Sequence, residues 1–460
     1  MNSDLPSSTN HQDGLPTPQR YWAAAGLLLV IMIGVIDTSI TNIALPTIAK
    51  DLGVSPASVI WIVNAYMITI ISTLLPFSAL AERLGFRRMF RIGVGIFMIG
   101  AIGSMLADSL LSLAISRTVQ GLGCSCFMSL FGGLVRNIYP RSKLAFGISL
   151  NAMIVGGAAL VSPSLGAFII SIASWHWIYG FTIPLCFIAL YFSLFLPRLE
   201  RVQSRFDYLS AILNAVTLGG FICALDLLFT SPVASAILFV VITISGYFLY
   251  QRARQQEAPL VPLDLFRITV FRDAIIISSL CFTAATMVMV SAPFYFQNTL
   301  QMPTHVVGLL FSSWPIAGLF TTPLAARLSN RYPSSLLAGI GNVILCIGII
   351  SLLSWPAGMH PIFYGLSLFV CGLGFGFFQT PNNKAMLLST PNNRSSATGG
   401  MQSTARLFGQ STGAAMVAVC FVFDPLHGHF YAMVTGAVVV MIAASINLIR
   451  YLNKSDISVI

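Results

Sequence analysis

Between Tyr21 and Tyr451 the chain runs apolar again and again for long enough to cross a hydrocarbon layer, which takes about 20 residues in a helix. Lipid offers no partner for a free N–H or C=O, so such runs must satisfy their backbone internally, as helices do. Clusters of charge and turn residues divide the runs into spans at 21–44, 57–80, 89–107, 110–137, 143–170, 176–196 and 207–229. Seven more follow at 233–251, 271–298, 305–327, 334–355, 360–385, 396–422 and 428–451, the 233–251 run being the shortest of these. With 56% hydrophobic and 8% charged residues, against about 25% charged in an ordinary soluble domain, the chain is an all-α polytopic membrane protein.

The placement of charge says more than its sum of +10. Short translocated loops avoid Lys and Arg, and 21 of the 24 Lys and Arg residues fall on one face of the predicted arrangement. Lys50 alone lies in a loop of the other face, while Arg117 and Arg406 lie inside helices. A different number of spans would scramble that alternation, so fourteen spans with both termini cytoplasmic is the expected topology. The basic balance therefore reads as membrane orientation and not as nucleic-acid binding. Eight cysteines sit in apolar segments, with no metal-type spacing except the tight pair Cys124 and Cys126, and read as small core residues. Residues 1–20 are polar, lack a signal-peptide pattern, and are expected to be a disordered cytoplasmic tail.

The sequence also echoes itself. LAERL at 80–84 returns as LAARL at 324–328, and the Gly-Leu-Gly at 121–123 returns at 372–374, each time eight helices later. Parallel repeats of this kind are a transporter signature. The expected organisation is a six-helix bundle at 21–196, a linking region at 197–270 with helices 7 and 8, a second six-helix bundle at 271–451 and a tail at 452–460.

An ionisable side chain in the bilayer core is costly and is by default a functional candidate. Asp37 lies fifteen residues beyond Trp22, about 22 Å along a helix rising about 1.5 Å per residue, which leaves about 8 Å of a core about 30 Å thick. Arg117 lies seven residues into the fourth helix, about 10 Å below the same boundary. Two opposite charges thus share one depth. Asp37 is either a protonation site tuned by Arg117, since burial disfavours a carboxylate and a neighbouring cation favours it, or half of a structural ion pair. The six histidines fall in the tail or in and beside outer loops, so none is expected to compete with Asp37 as a buried proton carrier. Arg406 sits near mid-depth with no obvious carboxylate in its bundle, and either holds backbone carbonyls or faces a water-filled cavity. Asp226, three residues from the end of its span, is expected to reach the headgroups. Pro46, Pro76, Pro163, Pro184, Pro293, Pro315, Pro323 and Pro381 punctuate the helices, as suits bending elements in a membrane.

These residues resemble the major facilitator superfamily, and within it the fourteen-helix drug:proton antiporters, over nearly the whole chain. IDTSITNIALP at 36–46 is similar to the first-helix motif whose aspartate is associated with proton coupling. SALAERLGFRR at 78–88 resembles the turn between helices 2 and 3, with Ser78 and Glu82 where glycine and aspartate are usual. LAISRTVQGLG at 113–123 resembles the fourth-helix motif whose arginine is implicated in proton transfer. GAALVSPSLGA at 157–167 resembles the fifth-helix antiporter motif, with Ser162 and Ala167 where glycines are usual. Weaker matches are WHWIY at 175–179, PLDLF at 262–266 and GLGFGFFQTPNN at 372–383.

The resemblance implies a major facilitator fold, two six-helix bundles plus two extra linking helices, that exports amphipathic, often cationic compounds across a bacterial inner membrane. It implies proton coupling at Asp37 and Arg117, and conformational gating by Glu82, Arg83, Gly85, Arg87, Arg88 and Pro163. The substrate cavity would lie between helices 1, 2, 4, 5 and 9, 10, 12, 13, with Asn64, Tyr66, Gln120, Phe294, Gln297, Trp314, Phe377, Gln379, Gln402 and Arg406 as candidate contacts. Aromatics and amides suit bulky substrates by stacking and cation–π contact. No metal or cofactor is implied, since the proton gradient supplies the energy. The partners implied are small-molecule substrates, protons and membrane lipid, acting on a monomer. A transporter dedicated to one metabolite is the alternative. A membrane enzyme or scaffold would need a buried nucleophile, a metal cluster or a large extramembrane domain, and the sequence offers none of these.

Overall fold

The computed structural model describes residues 14–453 apart from 141–142, 198–205, 229, 257–260, 357 and 391–394. Fourteen helices in it are long and apolar enough to cross a membrane. They are α1 (Gln19–Asp51), α2 (Pro56–Leu84), α3 (Phe86–Met105), α4 (Leu110–Ile138), α5 (Leu144–Ile172), α6 (Trp177–Phe195), α7 (Tyr208–Asp226) and α8 (Pro232–Arg254). Then come α9 (Thr269–Thr299), α10 (Thr304–Leu328), α11 (Ser334–Ser354), α12 (Pro361–Leu388), α13 (Ser395–Phe423) and α14 (Gly428–Leu452). Hydropathy placed every span within a few residues except the end of α1. That helix was expected to stop at 44, but it continues through Pro46 to Asp51, because a proline inside a packed membrane helix loses one backbone bond without ending the helix. Of the expected disordered tail, residues 1–13 lie outside the described residues. Leu15, in contrast, is docked, its N–H donating to Ile138 O at 3.1 Å.

Helices α1–α6 pack into one bundle and α9–α14 into a second, with α7 and α8 paired between them. An even number of crossings returns the chain to the face where α1 begins, here called the near face. The internal echo has a packing cause. A Cβ on Gly123 of α4 would lie 2.3 Å from Phe97 N of α3, and one on Gly374 of α12 would lie 2.3 Å from Leu345 N of α11. Likewise Gly121 rides on Tyr66 O of α2 and Gly372 on Trp314 O of α10. Each bundle therefore uses the same glycine pair to bring three helix backbones into contact, a common device where lipid supplies no hydrophobic drive between helices. At the α2–α3 turn, Gly85 has φ +92°, the left-handed region that favours glycine.

The two most extensive seams between the bundles are α5 against α10 and α2 against α13, and α7 packs on both helices of the second seam. The first seam is tight toward the far face. Gly308 lies against Pro163 and Ala167, and Ser164 and Ser312 share a hydrogen bond of 2.9 Å. Nearer the near face a Cβ on Gly156 or Gly157 of α5 would meet nothing within 4 Å. At the second seam Leu75 stays beside Gly400. Helix α8 exposes Val233, Ile237, Val240, Ile244 and Phe248, an apolar face that fits contact with lipid.

Candidate functional site

The depth argument places Asp37 and Arg117 together, and they touch. Arg117 Nη1 donates to Asp37 Oδ2 at 2.7 Å, with both residues at most 2% exposed. Arg117 and Gln120 are three residues apart and so share a face of α4. The same Nη1 donates to Gln120 Oε1 at 2.8 Å, and Gln120 Nε2 donates to Asp37 Oδ1 at 2.9 Å, closing a ring of three side chains. Both carboxylate oxygens of Asp37 are thereby engaged. The guanidinium lies 4.1 Å from the ring centroid of Tyr66 on α2 and 5.4 Å from that of Tyr179 on α6, within cation–π range. Four helices thus converge on one carboxylate. A buried pair of this geometry is expensive to break, because removing one partner strands the other charge at a cost of about 3–5 kcal/mol.

Gln120 and Tyr66, expected to touch substrate, belong to this cluster instead. Asn64 also turns away from the inter-bundle space: its Nδ2 donates to Asp226 Oδ1 at 3.3 Å. That contact corrects the expectation for Asp226, which is 7% exposed and faces α2 rather than the headgroups. The cause is the rotation of α7 about its axis, which brings Asn214 and Gly219 onto Ser72 and carries Asp226 inward with them. His429 is likewise buried, stacked on Tyr295 at 5.1 Å, although it sits in the first turn of α14.

The second bundle's candidates scatter. Gln297 closes the far end, donating from Nε2 to Ile43 O at 3.1 Å and accepting from Thr47 Oγ1 at 3.4 Å. Phe294 is buried on Phe421, and Trp314 on Phe375. Phe377, Gln379, Gln402 and Arg406 are half-buried. In the α2–α3 turn Glu82 and Arg88 are exposed, Arg83 lies over the ring of Phe206 at 5.0 Å, and Arg87 is half-buried. Pro163 is buried at the α5–α10 crossing. Ser162 bonds back to Ala158 O within α5, and Ala167, where a glycine is usual, is accommodated because Gly308 faces it from α10.

Among the described residues no group of three or more His, Cys, Asp or Glu side chains is placed to hold a metal. Sequence reasoning missed Tyr179, which reaches the site from a helix read only as a weak motif.

The Major Facilitator Superfamily profile matches residues 27–414. The chain is 39% identical to the "Uncharacterized transporter YebQ" of Escherichia coli K12 over 95% of this chain and 97% of that one. It is 27% identical to the "Riboflavin transporter RibZ" of Clostridioides difficile, over 94% and 98%. Identity to the "Multidrug resistance protein Stp" of Mycobacterium tuberculosis is 26%, over 86% and 74%. The crystal structure of a bacterial homologue of the human lysosomal transporter Spinster superposes with a TM-score of 0.70 at 14% identity, covering 97% of this chain and 99% of that one.

Proposed function

Because the chain belongs to the major facilitator superfamily, we propose that it is a proton-coupled exporter of amphipathic small molecules in a bacterial inner membrane, with the near face cytoplasmic. The observation that carries this reading is the buried Asp37–Arg117–Gln120 ring. With Asp37 charged, Arg117 and Gln120 hold its carboxylate and draw α1 and α4 together. A proton on Asp37 cancels one charge of the pair and frees the Arg117 guanidinium toward Tyr66 and Tyr179. The helix packing around the pair then favours a different arrangement, and two arrangements biased by one proton are what alternating access requires. The open space beside Gly156 and Gly157 of α5 on the near side fits a chain open to the basic face, which retention of Lys and Arg marks as cytoplasmic. A proton entering from outside as substrate leaves, and departing inward as substrate binds, makes the outward step downhill. Relatives named for multidrug resistance and for lincomycin resistance support the export direction.

A second reading, transport of one dedicated metabolite, is favoured by the similarity to a relative named as a riboflavin transporter. Proteoliposomes under an imposed pH gradient separate the two. A proton flux triggered by an amphipathic dye such as fluorescein, and lost in Asp37→Asn, is the expected result. Flux retained in that variant would remove Asp37 from the coupling step. A wild type that ignores every dye would favour the dedicated transporter.

A further inference from the structure

Helix α13 is enclosed on three sides. Toward α9, Ala405 O accepts from Ser279 Oγ at 3.4 Å, Gly409 O accepts from Thr283 Oγ1 at 3.1 Å, and Gly413 lies against Thr283 O. Toward α2, Gly400 meets Leu75 and Leu407 is buried in the core of the first bundle. Toward α7, Phe408 packs on Phe221 with ring centroids 5.2 Å apart. At about 100° per residue, the remaining side carries Arg406 and Gln410, facing the space between the bundles.

Among the described residues neither Arg406 nor Gln410 makes a hydrogen bond or ion pair, and Arg406 Nε is shut off from solvent with no acceptor. The second bundle holds only two acids, Asp273 and Asp424. Asp273 pairs with Arg272 and Asp424 with His427, while Asp37 across the divide is already engaged by Arg117 and Gln120. A guanidinium at membrane depth with no anion is costly, and its planar fork suits carboxylate or phosphate oxygens.

The geometry points to Arg406, with Gln410 beside it, as the docking point for an anionic group of the transported molecule. Substrates are then amphipathic anions, with an apolar body among the inter-bundle aromatics and a carboxylate or phosphate on the Arg406 fork. The inference rests on the reading above that small molecules pass between the bundles, but binding to the purified protein is separable from proton coupling.

The test is fluorescence anisotropy on the full chain in neutral detergent, with two xanthene dyes of similar shape: fluorescein, anionic at neutral pH, and rhodamine 6G, cationic. Fluorescein is expected to bind at least about tenfold more tightly than rhodamine 6G, the scale of one charge-assisted hydrogen bond. Arg406→Gln removes that preference and Arg406→Lys restores part of it, each variant checked for a monodisperse elution profile. Equal binding of the two dyes, preference for rhodamine 6G, no fluorescein binding, or undiminished fluorescein affinity in a folded Arg406→Gln protein would each overturn the inference. Added phosphatidylglycerol distinguishes the sources of the anion. Its displacement of fluorescein from wild type at trace concentration would assign the site to a lipid phosphate and overturn the substrate assignment. If coupling alone is misread, the dye preference survives while the Asp37→Asn flux result fails.

Discussion

The two bundles are built on one packing plan and charged on different ones. Gly100 of α3 abuts Gln120 in the first bundle, and Gly348 of α11 abuts Cys371 in the second, so Gln120 and Cys371 occupy matching places. Three residues earlier, Arg117 matches Leu368, which is fully buried. The first bundle thus spends this position on a paired, hydrogen-bonded charge, and the second fills it with hydrocarbon and a thiol. The second bundle's mid-depth charge is Arg406, one helix later and without a partner among the described residues. Shared glycines fix how helices approach, but what the resulting pocket does depends on a few side chains that packing leaves free to differ.

The sharpest way to break this contrast is to remove each arginine in turn. Arg117→Met strands Asp37 and is expected to cost about 3–5 kcal/mol, read as a large drop in thermal unfolding temperature in detergent. Arg406→Met removes a charge that has no partner and should leave that temperature unchanged or raise it. Equal losses in the two variants would mean that Arg406 has a structural anion after all.

A smaller effect is expected at the far-face seam. Gly308→Leu overpacks the crossing with Pro163 and Ala167 at a cost of about 1–3 kcal/mol and should push the bundles apart there. A cysteine introduced at Ala167 should then react faster with a membrane-impermeant thiol reagent added from the far face. Unchanged labelling would contradict the role given to this contact.

The linking helices should respond less. Burial pushes Asp207 up, but hydrogen bonds from Arg252, Ser210 and Gln256 outweigh it and hold the carboxyl below its usual range. A depressed carboxylate stabilises above its unfolded pKa, and that contribution is lost as pH falls through the folded one. The α7–α8 hairpin should therefore keep this tie throughout mildly acid pH. Because Arg252 is 41% exposed, screening limits the loss in Asp207→Asn to about 1 kcal/mol, measurable as faster proteolysis between the two helices. Smallest of all, Asp226→Asn preserves a side chain able to bond Asn64 and should shift stability by less than about 1 kcal/mol while leaving proton coupling intact. Loss of coupling in that variant would place a second proton site outside the first bundle.

Fourteen spans were legible because hydropathy reports length directly, and Asp37 with Arg117 because depth can be counted along a helix. Rotation about a helix axis was not legible where a helix is apolar all round. That is why Asp226 was expected at the headgroups, and why Asn64 and Gln297 were assigned to a cavity when one bonds Asp226 and the other latches α1. Contacts shared between distant segments were also hidden. Ala167 departs from the fifth-helix pattern only when α5 is read alone, because the small residue at that crossing is Gly308, far along the chain. Tyr179 completes the Arg117 site from α6, a meeting that no local spacing encodes.

Proton release from the detergent-solubilised protein in weakly buffered solution, on addition of a bound dye, tests the central claim most directly. Wild type and Asp226→Asn should each release protons when the dye binds, and Asp37→Asn should bind the dye and release none. Release from the Asp37→Asn protein equal to that of wild type would contradict the assignment of the coupling proton to the first bundle's buried carboxylate.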